Sequence, residues 1–289
     1  MTGMTGHELF ARIQAGLGLE ARRHRGVDPP GRRDQAIAGG SYRAIGALVD
    51  GFRAGDADVP VTGVVVAARA SNAVLEQAVA LGANVVISRS AFLGDSQDRP
   101  VAQPEPALAA KLAYIVQHGL AVLRLQDPRT GPAGLAVTTA FPRALGLESQ
   151  QGGIDTAAGL VYFGSSHSVL DMVRRAKAVL PTQTVRLVGD PSLVARGIAI
   201  ATETNRPNAL APLISRPEVN LLICGEVHET ETTAYLLDAI ALGQSKAMLV
   251  VGSIAMEEPA ARALAQWLAG SVEQRVTYVS SDEGLREVL

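Results

Sequence analysis

Cysteine is almost missing: Cys224 stands alone in 289 residues. A lone thiol excludes an intrachain disulfide framework and a paired-cysteine zinc site, and this usage suits a cytoplasmic protein. It ends the apolar run Val219 to Cys224, where it reads as a small buried hydrophobe rather than a nucleophile. Long apolar runs are missing too. None approaches the roughly 20 residues that span a bilayer, so no membrane partner is expected. Nor does one charge dominate. Lysine and arginine number 26 against 28 acids, and the net charge of −2 sets up no general attraction for nucleic acid. The local basic runs Arg22-Arg23-His24-Arg25 and Arg32-Arg33 stand among Gly26, Pro29, Pro30 and Gly31 and read as solvated loop. No apolar segment follows the twin arginines Arg22 and Arg23, so no secretory leader is expected. Low-complexity tracts, short repeats, a serine elbow, a His-Glu-x-x-His helix and a phosphate-binding P-loop are all lacking.

What is present is a chain with 47% hydrophobic residues, long enough for two compact α/β domains. Apolar, β-branched runs alternate with helical spacing. Strands are predicted at 61–66, 84–88, 120–125, 160–163, 184–188, 198–201, 219–224, 247–251 and 276–279. Helices are predicted at 6–17, 71–81, 107–118, 168–180, 209–214, 229–242 and 259–269. This rhythm calls for mixed or mostly parallel sheets covered by helices. It breaks between Asp127 and Gly153, where Pro128, Gly131, Pro132, Gly134, Pro142, Gly146, Gly152 and Gly153 mark a domain crossing. The expected division is 1–140 with 244–289 as one α/β domain and 141–243 as the other.

The first strand-helix-strand unit invites a dinucleotide reading, but its turn, Ala67-Ala68-Arg69-Ala70-Ser71-Asn72, holds no glycine to admit a pyrophosphate. Ser71 or Asn72 is there a helix cap. The densest polar cluster is Gly225-Glu226-Val227-His228-Glu229-Thr230-Glu231, directly after an apolar strand. Carboxylates at a strand's carboxyl end often line a site, and they equally complement a helix dipole. A second acidic pair, Glu257-Glu258, follows Gly252-Ser253, with Pro259 read as a first-turn proline. Two such turns on consecutive units are expected to lie side by side. His7, His24, His118 and His167 are scattered and read as surface or cap residues.

These residues carry a resemblance. Leu221-Leu222-Ile223-Cys224-Gly225-Glu226, followed by Glu229, Glu231, Thr232, Tyr235, Asp238, Ala239 and Gly243, resembles the "GE-x-x-E-x-E-T" element of the NIF-three-like family. The run from Val250 to Pro259 resembles that family's "GH-x-x-x-E" element, and Trp267-Leu268 its closing "WL". Val61-Thr62-Gly63-Val64 with Gly82 to Ile87 resembles the segment before its "T-H-H-P" or "T-H-E-P" motif, and Arg186 to Pro191 matches a further segment. Members are known as dinuclear-metal-centre proteins and as type 2 GTP cyclohydrolase I homologues. The resemblance implies two related α/β domains with mixed sheets and a toroidal homohexamer.

Carried over residue by residue, the family's metal ligands fall on Arg89, Ser90, Thr130, Ser253 and Glu257, and only Glu257 keeps a donor. Imidazole and carboxylate hold divalent cations; guanidinium and neutral hydroxyls do not replace them. The resemblance therefore implies a degenerate site without a cofactor, in an oligomeric ligand-binding or scaffolding protein whose partners are its own copies and a small molecule. The alternative is a GTP cyclohydrolase-like hydrolase holding Zn, Fe, Mn or Mg with an altered set of Glu226, His228 and Glu257, beside Glu229. His228 is then expected to face Glu257. Arg89 is expected to replace the missing cation by pairing with Glu257, or next with Glu226.

Overall fold

The computed structural model describes residues 3–18, 35–37, 40–42, 50–93, 98, 103–125, 135–147, 154–156, 159–163, 165–201 and 210–281. The basic runs at Arg22 and Arg32, and the expected ligand position Thr130, lie outside them.

In chain order the elements begin with α1 (Gly6–Gly16), β1 (Gln35–Ile37), β2 (Gly40–Tyr42), β3 (Gly51–Ala54), β4 (Val64–Ala67), α2 (Asn72–Ala80) and β5 (Val85–Ser88). Then come α3 (Pro106–Gln117), β6 (Ala121–Arg124), α4 (Val137–Ala144), β7 (Ile154–Thr156), β8 (Gly159–Phe163), α5 (Val169–Val179), β9 (Arg186–Gly189), β10 (Gly197–Ala201) and α6 (Ala211–Ile214). The last are β11 (Leu221–Cys224), a π-helical turn (Glu229–Thr233) running into α7 (Ala234–Ala241), β12 (Ala247–Val250), α8 (Ser253–Ala269) and β13 (Val276–Tyr278). The fold is α/β with two mixed sheets flanked by helices, as the alternating pattern predicts.

The chain divides into two compact units, one of Met1–Ala136 with Ala260–Asp282 and one centred on Val137–Pro259. The first unit carries the sheet ordered β13-β4-β5-β6-β3. Its β13, β4, β5 and β6 run parallel, and β3 closes the edge antiparallel to β6. One face is filled by Val65, Val86, Val122, Val74, Leu75, Leu108 and Ile115, all buried. The all-buried β4 and β5, Val-Val-Val-Ala and Val-Val-Ile-Ser, are what parallel strands covered on both faces require. Helix α2 starts where Ser71 accepts the Val74 N–H, and α3 where Glu105 accepts the Ala107 and Leu108 N–H groups.

The second unit carries the sheet ordered β7-β8-β10-β11-β12-β9, with β10, β11 and β12 parallel at its centre. Ser168 and Asp171 form a capping box that starts α5. The sequence-based division returned to the first domain at residue 244. In the structure β12 is hydrogen-bonded to both β11 and β9, so it belongs with the second unit, and the return falls inside α8.

The Pro- and Gly-rich stretch expected to be a crossing does hold the passage from the first unit to the second, after Ala136, and it also forms α4, which holds Pro142 in its interior and buries Val137, Ala140 and Phe141. One further difference has a local cause. Helix α8 starts at Ser253, not at Pro259, so Pro259 sits in the helix interior rather than in its first turn. Gly252, at φ 92°, makes the strand-to-helix turn in a conformation that suits glycine, and the Met256 N–H donating to the Gly252 carbonyl closes the first helical turn.

Candidate functional site

In the second unit, the carboxyl ends of β11 and β12 bring the two acidic turns together. Val251 N–H donates to the Cys224 carbonyl and Gly252 N–H to the Gly225 carbonyl, both at 3.0 Å. Gly225 faces Ser253 so closely that a Cβ on it would stand 2.6 Å from Ser253 Oγ and 2.8 Å from Ser253 Cα. That contact explains a glycine ahead of Glu226. Ser253 and Glu257, four residues apart on α8, share one helix face, and both are half-buried. Glu258, the neighbour on the helix, is buried.

Glu226, His228 and Glu229 are all exposed. The His228 carbonyl accepts the Glu231 and Thr232 N–H groups at 3.1 Å each, which turns the chain into α7. Glu229 accepts from Arg186 Nη1 at 3.0 Å, an exposed ion pair between β9 and the π-helical turn. Cys224 is fully buried, its thiol 3.7 Å from the Leu249 carbonyl, and desolvation pushes its pKa up to about 12. Such a thiol is an inert core group, as its apolar run suggests.

In the first unit, Arg89 and Ser90 follow β5. Their N–H groups donate to the Ala67 and Ala68 carbonyls at 3.3 and 2.8 Å, extending the parallel ladder past β4. Arg89 is only 2% exposed, and Ser90 is half-buried. Ser88 Oγ accepts the Ala70 N–H and donates to the Ser90 carbonyl, so the two strand ends are tied together. Strand alternation sends Arg89 to the face opposite Ser88 and Arg124. The pairing expected of Arg89 with Glu257 or Glu226 joins residues of different units and stays an expectation.

The sequence reasoning missed a second group in this unit. Asp98, 2% exposed and at φ 50°, accepts the Phe92 and Leu93 N–H groups at 2.7 Å each and Arg124 Nη1 at 3.1 Å. Lys111, 8% exposed, holds its ammonium 4.7 Å from the Phe92 ring centroid. Its pKa is lowered to about 8, first by burial, then by the nearby Arg69, against a smaller raising pull from Asp98. A signal existed: Lys111 shares the buried stripe Leu108, Lys111, Ile115 of α3, where an apolar residue belongs. The scattered histidines stay apart. His7 pairs with Asp58 at 3.5 Å, His118 caps α3 and His167 Nε2 lies 3.0 Å from Arg175 Nη2, while His24 is outside the described residues.

No group of three or more His, Cys, Asp or Glu among the described residues is gathered so as to hold a metal ion. Nor, among them, is any helix long and apolar enough to cross a membrane. By sequence, residues 36–283 match the family described as Duf34/NIF3 (NGG1p interacting factor 3). The chain belongs to the Duf34/NIF3 family. Solved structures share its fold at low identity. Protein SA1388 of Staphylococcus aureus superposes with a TM-score of 0.70 at 14% identity, covering 99% of this chain and 100% of that one. Protein ybgI, described as of unknown function, gives 0.66 at 20% identity, with 96% and 98% covered. Reduced HcgD from Methanocaldococcus jannaschii gives 0.65 at 13%, with 96% and 97% covered. No curated protein matches the chain by sequence.

Proposed function

We propose that this Duf34/NIF3 protein has given up the family's dinuclear metal centre and acts as an oligomeric, cytoplasmic ligand-binding or scaffolding protein. The supporting observation is the chemistry at the ligand positions that the resemblance assigns. Arg89 brings a buried guanidinium to one of them. Ser90 and Ser253 offer neutral hydroxyls, and Glu257 is the single carboxylate. This donor set does not fit two divalent cations, which need several imidazoles or carboxylates at short range. Of the other acids that could replace the lost ligands, Glu229 contacts Arg186 and, like Glu226, is exposed to water. A homohexamer is the assembly we expect, and the exposed Tyr235, Leu237 and Leu242 of α7 and its end supply apolar surface for contacts between copies.

Elemental analysis of the purified full chain tests the first part. Well under one divalent ion per chain, before and after incubation with Zn, Fe, Mn or Mg, is expected. Two tightly held ions per chain would overturn the reading in favour of the metal-dependent hydrolase. Light scattering tests the second part, with a hexamer expected and a monomer at micromolar concentration overturning it.

A further inference from the structure

We infer that the first unit holds a binding site for a small oxyanion, phosphate-type or carboxylate, between the Lys111 ammonium and the Arg69 guanidinium at the carboxyl edge of the five-stranded sheet. Arg69 stands in the turn after β4, and Lys111 lies over Phe92, in the segment after β5. Ligands of open α/β sheets bind at this edge. The Ser90 N–H donates to the Ala68 carbonyl at 2.8 Å, which sets the turn that holds Arg69 beside the segment leading to Phe92 and its covering Lys111, and neither cation makes a hydrogen bond or ion pair through its side chain among the described residues. The buried acid close by, Asp98, is already engaged by two backbone N–H groups and Arg124. Helix α2 begins next to Arg69 with no acid in its first turn, so its dipole adds charge of the same sign.

A lysine whose stem merely covers an aromatic ring keeps its head in water. Lys111 is instead 92% removed from solvent beside a second cation, an arrangement that is costly until an anion joins it. Its lowered pKa has the same origin, and it supplies a distinctive readout. An anion between Lys111 and Arg69 restores the charged amine, so near pH 8 binding must draw a proton from the buffer. The inference goes beyond the metal question and does not depend on it, since neither Lys111 nor Arg69 stands at a metal-ligand position.

Isothermal titration of the full chain near pH 8 tests it, with inorganic phosphate in one series and citrate in another, each in two buffers of different ionisation enthalpy. Saturable binding of at least one anion is expected at one site per chain, with uptake of about half a proton. Binding of phosphate alone assigns a phosphate-type ligand; binding of both assigns a general oxyanion site. Lys111→Met is expected to weaken binding at least about tenfold, and the exposed Arg69→Gln likewise. Lys111→Arg should bind without the proton uptake. If Lys111→Met fails to fold, Arg69→Gln decides. No saturable heat up to about 10 mM of either anion, or native affinity in both Lys111→Met and Arg69→Gln, would overturn the inference.

Discussion

The two units hold their charges differently. The first buries Arg53, Arg89, Lys111 and Arg124 in and around its sheet, with Asp98 as the one buried acid among its described residues. The second buries Glu258 on α8 but keeps Glu226, His228 and Glu229 in water, and its buried Lys246 donates to the Arg216 and Val219 carbonyls at 2.7 and 2.6 Å. A buried cation must be compensated by its surroundings, whereas an exposed acid is compensated by solvent. Charge changes in the first unit should therefore alter stability strongly, and the same changes in the acidic turn of the second should scarcely register.

Asp98 gives the largest contrast. Asp98→Ala removes the acceptor of two buried N–H groups and of Arg124 Nη1 together, and should cost about 3–5 kcal/mol in denaturant unfolding. Asp98→Asn keeps an oxygen for the N–H groups and tolerates the positive φ, so it should cost less. Equal losses for the two variants would show that the negative charge carries the whole effect, and no loss in Asp98→Asn that the charge is unimportant.

Lys111 should act in the opposite direction. The unfolded chain takes up this proton near pH 10.5 and the folded chain near 8, so between these values the unfolded state binds more protons. Stability therefore rises from about pH 8 to about pH 10.5, by about 3 kcal/mol in all. Lys111→Met should abolish that slope and stabilise the protein at neutral pH by up to the same amount, less the lost contact of the cation with Phe92. Unfolding free energies across this range provide the measurement, and an unchanged slope in the variant would assign it to other groups.

Gly225 is where the second unit is sensitive, through packing rather than charge. Gly225→Ala drives a Cβ into Ser253 Oγ and Cα, so the turns after β11 and β12 must separate. A loss of about 1–3 kcal/mol is expected. Thermal melting of the variant checks it, and a loss well under this range would mean that the α8 start gives way freely.

Much of this was legible in the sequence, for physical reasons. Strands such as Val64–Ala67 and Leu221–Cys224 are uniformly apolar because parallel strands are covered on both faces. The adjacency of the two acidic turns followed from consecutive strands pairing side by side. The start of α8 was not legible, because a proline after two acids looks like a first turn, while Gly252 is the residue that makes the bend. Nor was the set of Asp98, Lys111 and Arg124, which stand on the loop before α3, on α3 and on β6 and meet only through the fold. The resemblance drew attention to Glu226, His228 and Glu229 by position, and position alone does not tell exposed from buried.

Arg186 and Glu229 set the lower end of the comparison. Their side chains are 53% and 73% exposed, and the 3.0 Å contact joins β9 to the π-helical turn through one guanidinium nitrogen. Water solvates each ion almost as well when they are apart, and holding the pair restricts two long side chains. Glu229→Gln keeps the oxygen that accepts from Arg186 and removes only the charge, so its cost should be under about 0.5 kcal/mol and should shrink further in added salt. Unfolding at low and high salt measures both quantities. A cost comparable to that of Asp98→Ala would mean that the acidic turn is enclosed in the protein's working assembly, and the contrast between the units would then belong to the isolated chain alone.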